Sequence, residues 1–293
     1  MPKRVLIQLD CDPQPGTFDA VVAVDAGADV LLRQGGVTPE NVVPLVHGAM
    51  FTRGGSDLAS TAIFIGGGDV AAAEAVAAEV RKTFFGPVRV GVLVDPSGAN
   101  TTAAAAVVSA ARHVDFATGA VSAVVLGGTG PVGQRVARLL AGKGVHVMLA
   151  SRSLSRAEEA VARLHEQVAA ATIEAVASAA GGEAASPFSR GVANADVIVA
   201  AGAAGVTLLD AAGRAAAGKA RVLIDLNAVP PAGIAGVAAA DKARADGAAV
   251  CYGPLGVGGL KMKIHRAAVE RIFTDSAAFL DAEDLLAIGA SLG

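Results

Sequence analysis

The sequence predicts an α/β protein with two α/β domains and a cleft, the C-terminal domain being a doubly wound parallel sheet of the Rossmann type. Three observations predict this. Short apolar runs alternate with helical patterns along the chain, the order expected of parallel strands joined by crossover helices. The alternation pauses at 113–120 and then restarts. The restart carries a G-x-G-x-x-G spacing between a strand and a helix. We therefore expect one domain of residues 1–114 together with returning helices at about 265–293, and a second domain of residues 115–264.

The first domain opens with the apolar run VLIQL at 5–9, which is bounded by Asp10 and Pro13 and is typical of a buried strand. The strongest helical pattern, at 69–85, has Asp69 in the N-cap position and basic residues in its last turns. The other elements expected before residue 114 are helices at 18–29, 41–50 and 100–113 and strands at 60–67 and 88–95.

The second domain repeats the alternation. Strands are expected at 122–126, 145–150, 172–176, 196–201, 221–226 and 249–252, and helices at 131–142, 153–170, 186–194 and 207–217. No strand pattern follows Gly259. The chain closes with helical patterns at 259–273 and 278–292, which we expect to return to the first domain.

The composition excludes several functional classes. A net charge of −3 with 17% charged residues does not fit a nucleic-acid-binding surface. The two cysteines, Cys11 and Cys251, are far apart and form no C-x-x-C pattern, so neither a disulfide framework nor a metal site is expected. The first apolar run is too short for a secretory signal, and the uncharged stretch 116–133 contains too many glycines for a membrane span. We expect a cytoplasmic protein without a membrane partner.

The glycine spacing predicts a dinucleotide site. Gly128, Gly130 and Gly133 follow an apolar strand and open a helix at Pro131, the context in which such a loop holds a pyrophosphate against the helix N-terminus. A purely structural strand-to-helix turn is the alternative. The residues predicted to bind the cofactor here are Gly128, Thr129, Gly130, Pro131, Val132 and Gly133.

The end of the next strand indicates which nucleotide binds. An acidic residue usually lies there when the ribose carries a free 2′-hydroxyl, but this chain has Ser151, Arg152 and Ser153, with Arg156 one turn later. A guanidinium and hydroxyls suit a 2′-phosphate, so NADP is favoured and NAD stays open as a second cofactor. A solvated surface arginine is the alternative for Arg152.

Two further loops follow strands of the second domain. Ala201 and Gly202 follow the strand at 196–201, and Asn227 precedes a proline pair after the strand at 221–226. We expect all three residues at the carboxyl edge of the sheet, beside the cofactor. Ordinary tight turns are the alternative for both loops.

A polar cluster predicts the substrate side. It follows the strand at 88–95 and opens a helix, so we expect a rim of hydrogen-bonding groups, with helix capping as the alternative. The cluster consists of Asp95, Ser97, Asn100, Thr101 and Thr102. Farther on, Lys261 and His265 are four residues apart on one helix face, where composition alone indicates a solvated basic helix.

Seven segments spread over nearly the whole chain together resemble one family: FTRGG (51–55), STAIFIGGGD (60–69), FFGPVRV (84–90), SGANTTAAA (97–105), GGTGPVG (127–133), DLNAVPP (225–231) and GPLGVGGLKMKIHRA (253–267). The chain resembles the methylene-tetrahydromethanopterin dehydrogenases of methylotrophic bacteria. The resemblance implies hydride transfer from the methylene bridge of a reduced pterin to NADP, in one-carbon oxidation of formaldehyde. It also implies that Lys261 lies in the active site.

Other functions stay open at this stage. Methylene-tetrahydrofolate is the alternative substrate. A dehydrogenase of another small substrate on a shikimate-dehydrogenase-like plan, or a module that holds NADP without turnover, would fit the same two-domain pattern. The alanine-rich helices favour a homo-oligomer.

Overall fold

The computed structural model describes residues 2–168, 171–178 and 186–292. The chain divides into two compact units, one formed by Met1–Thr101 with Met262–Leu292 and the other by Thr102–Lys261. The strands are β1 (Val5–Asp10), β2 (Val30–Gln34), β3 (Thr61–Gly66), β4 (Gly91–Val94), β5 (Ser122–Leu126), β6 (His146–Ser151), β7 (Ile173–Ala177), β8 (Val197–Ala200), β9 (Val222–Asp225), β10 (Arg244–Asp246), β11 (Ala249–Tyr252) and β12 (Phe279–Leu280). The helices are α1 (Thr17–Asp25), α2 (Val42–Phe51), α3 (Val70–Thr83), α4 (Ala99–Ala111), α5 (Pro131–Ala141), α6 (Leu154–Gln167), α7 (Pro187–Asn194), α8 (Ala211–Ala216), α9 (Pro254–Ile272) and α10 (Ala282–Ser291).

The first unit contains a five-stranded sheet in the order β12-β4-β3-β1-β2, in which every neighbouring pair is parallel. β3 lies at its centre and is buried along its whole length. Its apolar run allows this, because a strand covered on both faces needs no polar alternation. The core around it consists of aliphatic side chains such as Ile63, Ile65 and Val92.

The second unit contains a seven-stranded sheet in the order β10-β11-β9-β8-β5-β6-β7. All pairs are parallel except β10 with β11. From β7 to β11 the strands follow the order 3-2-1-4-5-6 of a doubly wound dinucleotide-binding sheet. Together with the parallel sheet of the first unit, this confirms the predicted fold class.

Two strands of the first unit were not predicted. β2 is an edge strand whose second half is exposed, so its residues lack the continuous apolar run of a buried strand. β12 contradicts the expectation of no strand after Gly259. It pairs Phe279 with Val92 and Leu280 with Leu93 and is too short to produce a sequence pattern.

α9 begins at Pro254, not at Gly259 as predicted. Proline suits the first turn of a helix, whose N–H groups have no intrahelical partner. A side chain at Gly256 would collide with the carbonyl oxygen of Asp241, so this glycine allows close packing and does not mark a loop. The predicted helix therefore started five residues too late.

Other boundaries also differ. α1 ends at Asp25, and α8 is limited to six residues of the helix predicted at 207–217. β10 was not predicted at all. Residues 169–170 of the helix predicted at 153–170 lie outside the described residues. The unit division falls inside α4 and α9, whereas the sequence places the domain boundary after residue 114 and near residue 265.

None of the helices in the described segments combines the length and the apolar character needed to cross a membrane.

Candidate functional site

The glycine loop lies at the carboxyl end of β5, where the strand order reverses between β5 and β8. Ligands of open α/β sheets bind at such a switch point. Gly130 is the N-cap of α5 and Pro131 its first helical residue, so the helix N-terminus begins directly at the loop. Thr129 and Val132 are partly exposed there, and the Thr129 carbonyl accepts a hydrogen bond from the Gln134 amide at 2.7 Å.

The three positions of the motif are glycine for different physical reasons. A Cβ at Gly128 would lie 2.6 Å from Cγ of Leu149, and one at Gly133 would lie 2.7 Å from the Cα of Gly128. Both glycines are therefore required by packing within the chain. A Cβ at Gly130 would meet nothing closer than 3.6 Å, and φ at Gly130 is −75°. Neither packing nor backbone conformation of the described chain requires glycine at this position.

The loop after β8 lies against the glycine loop. A Cβ at Gly127 would collide with the backbone of Gly202, and the N–H of Ala201 donates to the Leu126 carbonyl at 2.9 Å. The structure thus brings Ala201 and Gly202 together with the motif glycines, at one edge of the sheet.

The end of β6 adjoins the same loop, since the N–H of Gly128 donates to the Ala150 carbonyl at 3.0 Å. Ser151 is buried. Ser153 is the N-cap of α6 and accepts from the N–H of Arg156 at 3.4 Å. The side chains of Arg152 and Arg156 are exposed. The first carboxylate after β6 is Glu158, in α6, so two guanidinium groups and no acid follow the strand directly.

The Asn227 side chain forms hydrogen bonds with the backbone of its own loop and of the loop after β8. Its side-chain oxygen accepts from Gly205 at 3.3 Å and from Val229 at 3.1 Å, and its amide nitrogen donates to the Pro231 carbonyl at 3.0 Å. Its side chain therefore organises the loops after β8 and β9. Sequence reasoning missed its partner Asp225, whose strand-end position was the available signal.

Asp225 is buried and accepts from the N–H groups of Asn227 at 3.0 Å and Ile234 at 3.1 Å. It holds both ends of the loop that contains the proline pair. A buried carboxylate in this position fixes the backbone at the carboxyl end of β9.

The polar cluster of the first unit is a closed network around Asp95, which is 0% exposed. The carboxylate accepts from the N–H groups of Asn100 at 2.9 Å and Thr101 at 3.1 Å, and from the Thr101 hydroxyl at 2.6 Å. The Asn100 amide donates to the Val94 carbonyl at 2.6 Å and to Asp281 at 3.0 Å. Asp95 thus supplies the helix-capping interaction that was the alternative interpretation of this cluster.

The remaining two members of the cluster have accessible surface. Ser97 is exposed and adopts φ 55°, a left-handed conformation that is uncommon for a residue with a side chain. Thr102 is partly exposed and is the first residue of the second unit. Asp95, Asn100 and Thr101 support this segment from inside the first unit.

Lys261 is partly buried in α9 and is the last residue of the second unit. Its helix is not a uniformly solvated basic one. His265 is 1% exposed, and its ring stacks on Phe64 with centroids 5.7 Å apart. Lys263 and Arg266 are exposed.

Two carboxylates that sequence reasoning did not single out as site residues lie at the end of β1, where Asp10 is the last strand residue and Asp12 comes shortly after it. Asp10 accepts from the N–H of Asp12 at 2.9 Å and of Gly16 at 3.1 Å, and Asp12 accepts from the N–H of Gly68 at 2.9 Å. These bonds tie the loop after β1 to the loop after β3. The proline-rich LDCDPQPG segment was the signal for an ordered loop here.

The thiols are not activated. Burial, reinforced by Asp10, Asp12 and Asp69, raises the pKa of Cys11 to about 11. Burial also raises the pKa of Cys251. Both groups therefore stay protonated at neutral pH, and neither is a competent nucleophile. Within the described segments, no three His, Cys, Asp or Glu side chains are grouped in a way that could hold a metal ion.

Comparisons with known proteins agree on one family. The family model described as methylene-tetrahydromethanopterin dehydrogenase, N-terminal, matches residues 17–97. The bifunctional protein MdtA of Methylorubrum extorquens is 42% identical over 287 residues, which is 97% of this chain and 97% of that protein. The NAD(P)-dependent methylenetetrahydromethanopterin dehydrogenase of the same organism is 34% identical over 71% of this chain and 70% of that protein. A solved transhydrogenase from Sinorhizobium meliloti aligns with 98% of this chain and 94% of its own at a TM-score of 0.47 and 14% identity, which is too distant for a functional comparison.

Proposed function

The chain belongs to the methylene-tetrahydromethanopterin dehydrogenase family, and from this premise we propose that it transfers hydride from the methylene bridge of a reduced pterin to NADP. The product is the corresponding methenyl cation. The observation that carries the proposal is the glycine loop at the switch point of the second sheet, where Gly130 has no reason within the chain to be glycine.

The residues of this loop fit a dinucleotide. With no side chain at Gly130, backbone is open to a pyrophosphate, and the N-terminus of α5 supplies N–H groups and partial positive charge. Gly128, Thr129, Gly130, Pro131, Val132 and Gly133 would hold the diphosphate, with Ala201 and Gly202 beside it. Asn227 contributes by keeping the neighbouring loops in place.

The end of β6 supports NADP over NAD. Exposed Arg152 and Arg156 would pair with the 2′-phosphate, and Ser151 and Ser153 fix the start of α6 beside them. A carboxylate for a free 2′-hydroxyl is missing from the residues directly after the strand. NAD would bind through the same glycine loop but without the contacts to a 2′-phosphate.

The proposed hydride transfer requires the protein mainly to align the methylene carbon with the nicotinamide ring. Loss of hydride from an N–CH2–N carbon leaves a cation delocalised over both nitrogens, so no proton has to leave and no general base is required. When bound, the nicotinamide ring accepts the hydride. The protein must orient the methylene carbon and exclude water, because the methenyl product hydrolyses. In the first unit we assign substrate contact to the accessible Ser97, which Asp95, Asn100 and Thr101 support. In the second unit we assign it to Lys261 and Thr102.

An assay of four substrate pairs tests the function directly. We expect the purified protein to reduce NADP with methylene-tetrahydromethanopterin. NAD should react with a kcat/KM at least about tenfold lower, because it lacks the 2′-phosphate and a charge-assisted contact to that group is worth about 1.5–3 kcal/mol. Nicotinamide absorbance reports the rate. The absence of reduction with every pair of pterin and nucleotide would overturn the proposal.

Methylene-tetrahydrofolate, the alternative that the sequence left open, is a second candidate substrate because the proposed reaction requires only an N–CH2–N carbon on a reduced pterin. The same assay distinguishes the two pterins. A higher kcat/KM with methylene-tetrahydrofolate would reassign the substrate while retaining the reaction.

Arg152→Ala should weaken NADP binding by about 10- to 100-fold and leave NAD binding within about twofold, because only NADP has the 2′-phosphate. Calorimetric titration of both nucleotides measures this. Arg163→Ala is the matched control, since it removes the same charge from an exposed position farther along α6. Equal losses for NADP and NAD would refute the phosphate contact.

A further inference from the structure

A cavity of about 180 Å³ lies in the first unit, at the amino ends of β4 and β12. It is formed by the last turn of α3, the segment that follows α3, and the residues that precede each of the two strands. The lining side chains that carry its chemistry are Arg81, Phe84, Arg89 and Phe279. The lining includes part of the FFGPVRV segment (84–90), which has no role in the proposed dehydrogenase activity.

The lining is positively charged. It contains two arginines and no carboxylate. In the part of the chain that the structure describes, no acidic side chain forms an ion pair with Arg81 or Arg89, and Glu79 in α3 is paired with Lys82 at 3.3 Å. A concave surface lined by one sign of charge concentrates ions of the opposite sign.

Arg81 is held in an orientation that suits an anion. Its guanidinium carbon lies 3.7 Å from the centroid of the Phe279 ring, a cation–π contact that occupies one face of the guanidinium plane. The N–H groups point outward in that plane, so stacking leaves them available to donate. Two parallel in-plane N–H donors match two oxygens of a phosphate.

We propose that this cavity is a binding site for a phosphate-type anion, held by Arg81 and Arg89. The volume is below the roughly 300–1,000 Å³ of sites for drug-sized ligands, so it accepts inorganic phosphate or the phosphate end of a phosphomonoester. The site lies at the amino edge of the sheet, opposite the carboxyl edge where ligands of such sheets bind, and it is independent of the proposed dehydrogenase activity.

The expected consequence is a stronger attachment of the C-terminal segment. β12 joins the sheet through only two residues, and Phe279 reaches Arg81 of α3 from there. An anion bridging Arg81 and Arg89 would connect α3, the start of β4 and the start of β12. Ligands that bind only the folded state raise its stability according to their concentration and affinity.

The test uses the full-length protein and sodium phosphate, compared with sodium chloride at equal ionic strength. We expect a saturable rise in Tm with phosphate and a matching calorimetric Kd. Arg89→Gln should weaken phosphate binding at least tenfold, and Arg89→Lys should give an intermediate loss, because lysine keeps the charge but lacks the planar donor pair. Arg271→Gln is the control, since Arg271 is exposed, pairs with Asp275 and lies outside the cavity lining.

Two comparisons make the outcome decisive. Glycerol 3-phosphate binding more tightly than inorganic phosphate would identify a phosphomonoester as the ligand, and the reverse order would identify phosphate itself. Loss of the Tm shift in Arg152→Ala but not in Arg89→Gln would place the anion near the glycine loop and overturn the proposal. The proposal is also wrong if phosphate and chloride act alike on the wild-type protein.

Discussion

Lys261→Met is expected to lower kcat with saturating pterin and NADP by about 100-fold, while the Kd for NADP stays within about twofold. A misplacement of about 1 Å in a hydride-transfer geometry costs about this much. Methionine keeps the apolar length of the partly buried side chain and removes only the ammonium donor. The variant therefore tests the proposed contribution of the Lys261 ammonium to orienting the pterin.

The charge of Lys261 works against the reaction if it is close to the reacting carbon. At 4 Å and an effective dielectric constant near 20, two positive charges repel by about 4 kcal/mol. A lysine that assists must therefore donate to an acceptor on the pterin away from the forming cation. Lys263→Met is the matched control, because Lys263 is exposed on another face of α9. If Lys261→Met turns over as fast as the wild type, the lysine has no role in orientation.

The strand, glycine loop and helix that would hold the cofactor could be predicted as local structure because their determinants are local in sequence. Strand, glycine loop and helix follow one another within residues 122–141, and the side chains that follow the next strand come only ten residues later. Tertiary structure adds the contacts of the Ala201–Gly202 loop, which parallel strand order places beside the motif. The prediction required only that each local pattern adopt its usual conformation.

The polar residues proposed for the substrate side could be located from the sequence, but their burial could not. The sequence singled out Asp95, Asn100 and Thr101 as a polar cluster but did not show that they are buried and bonded to one another. Nor did it show that Asn100 also donates to Asp281, 181 residues away in sequence. β12 and α10 bring that carboxylate back to the first sheet. A contact at this separation leaves no periodic signal in either segment, so the closed network became visible only in the fold.

Gly130→Ala is expected to weaken both NADP and NAD by at least about 100-fold while reducing the free energy of unfolding by no more than about 1 kcal/mol. The added methyl group meets only the Ala201 and Gly127 carbonyl oxygens, at 3.6 and 3.7 Å, so the chain accommodates it. A pyrophosphate lying against the loop would not, because the methyl group occupies the surface at which its oxygens meet the backbone N–H groups. Calorimetric titration with both nucleotides and thermal unfolding measure the two effects separately.

Two other glycine variants of the second unit serve as comparisons for Gly130→Ala. Gly133→Ala should instead lower stability by about 1–3 kcal/mol, since its Cβ would press on the backbone of Gly128, which cannot move without disturbing the loop. Gly218→Ala should change neither property, because Gly218 is exposed and a Cβ there meets nothing within 4 Å. Full nucleotide affinity in a folded Gly130→Ala protein would mean that no diphosphate lies on this loop. The proposed cofactor site at the glycine loop of the second unit would then be wrong, whatever the identity of the pterin.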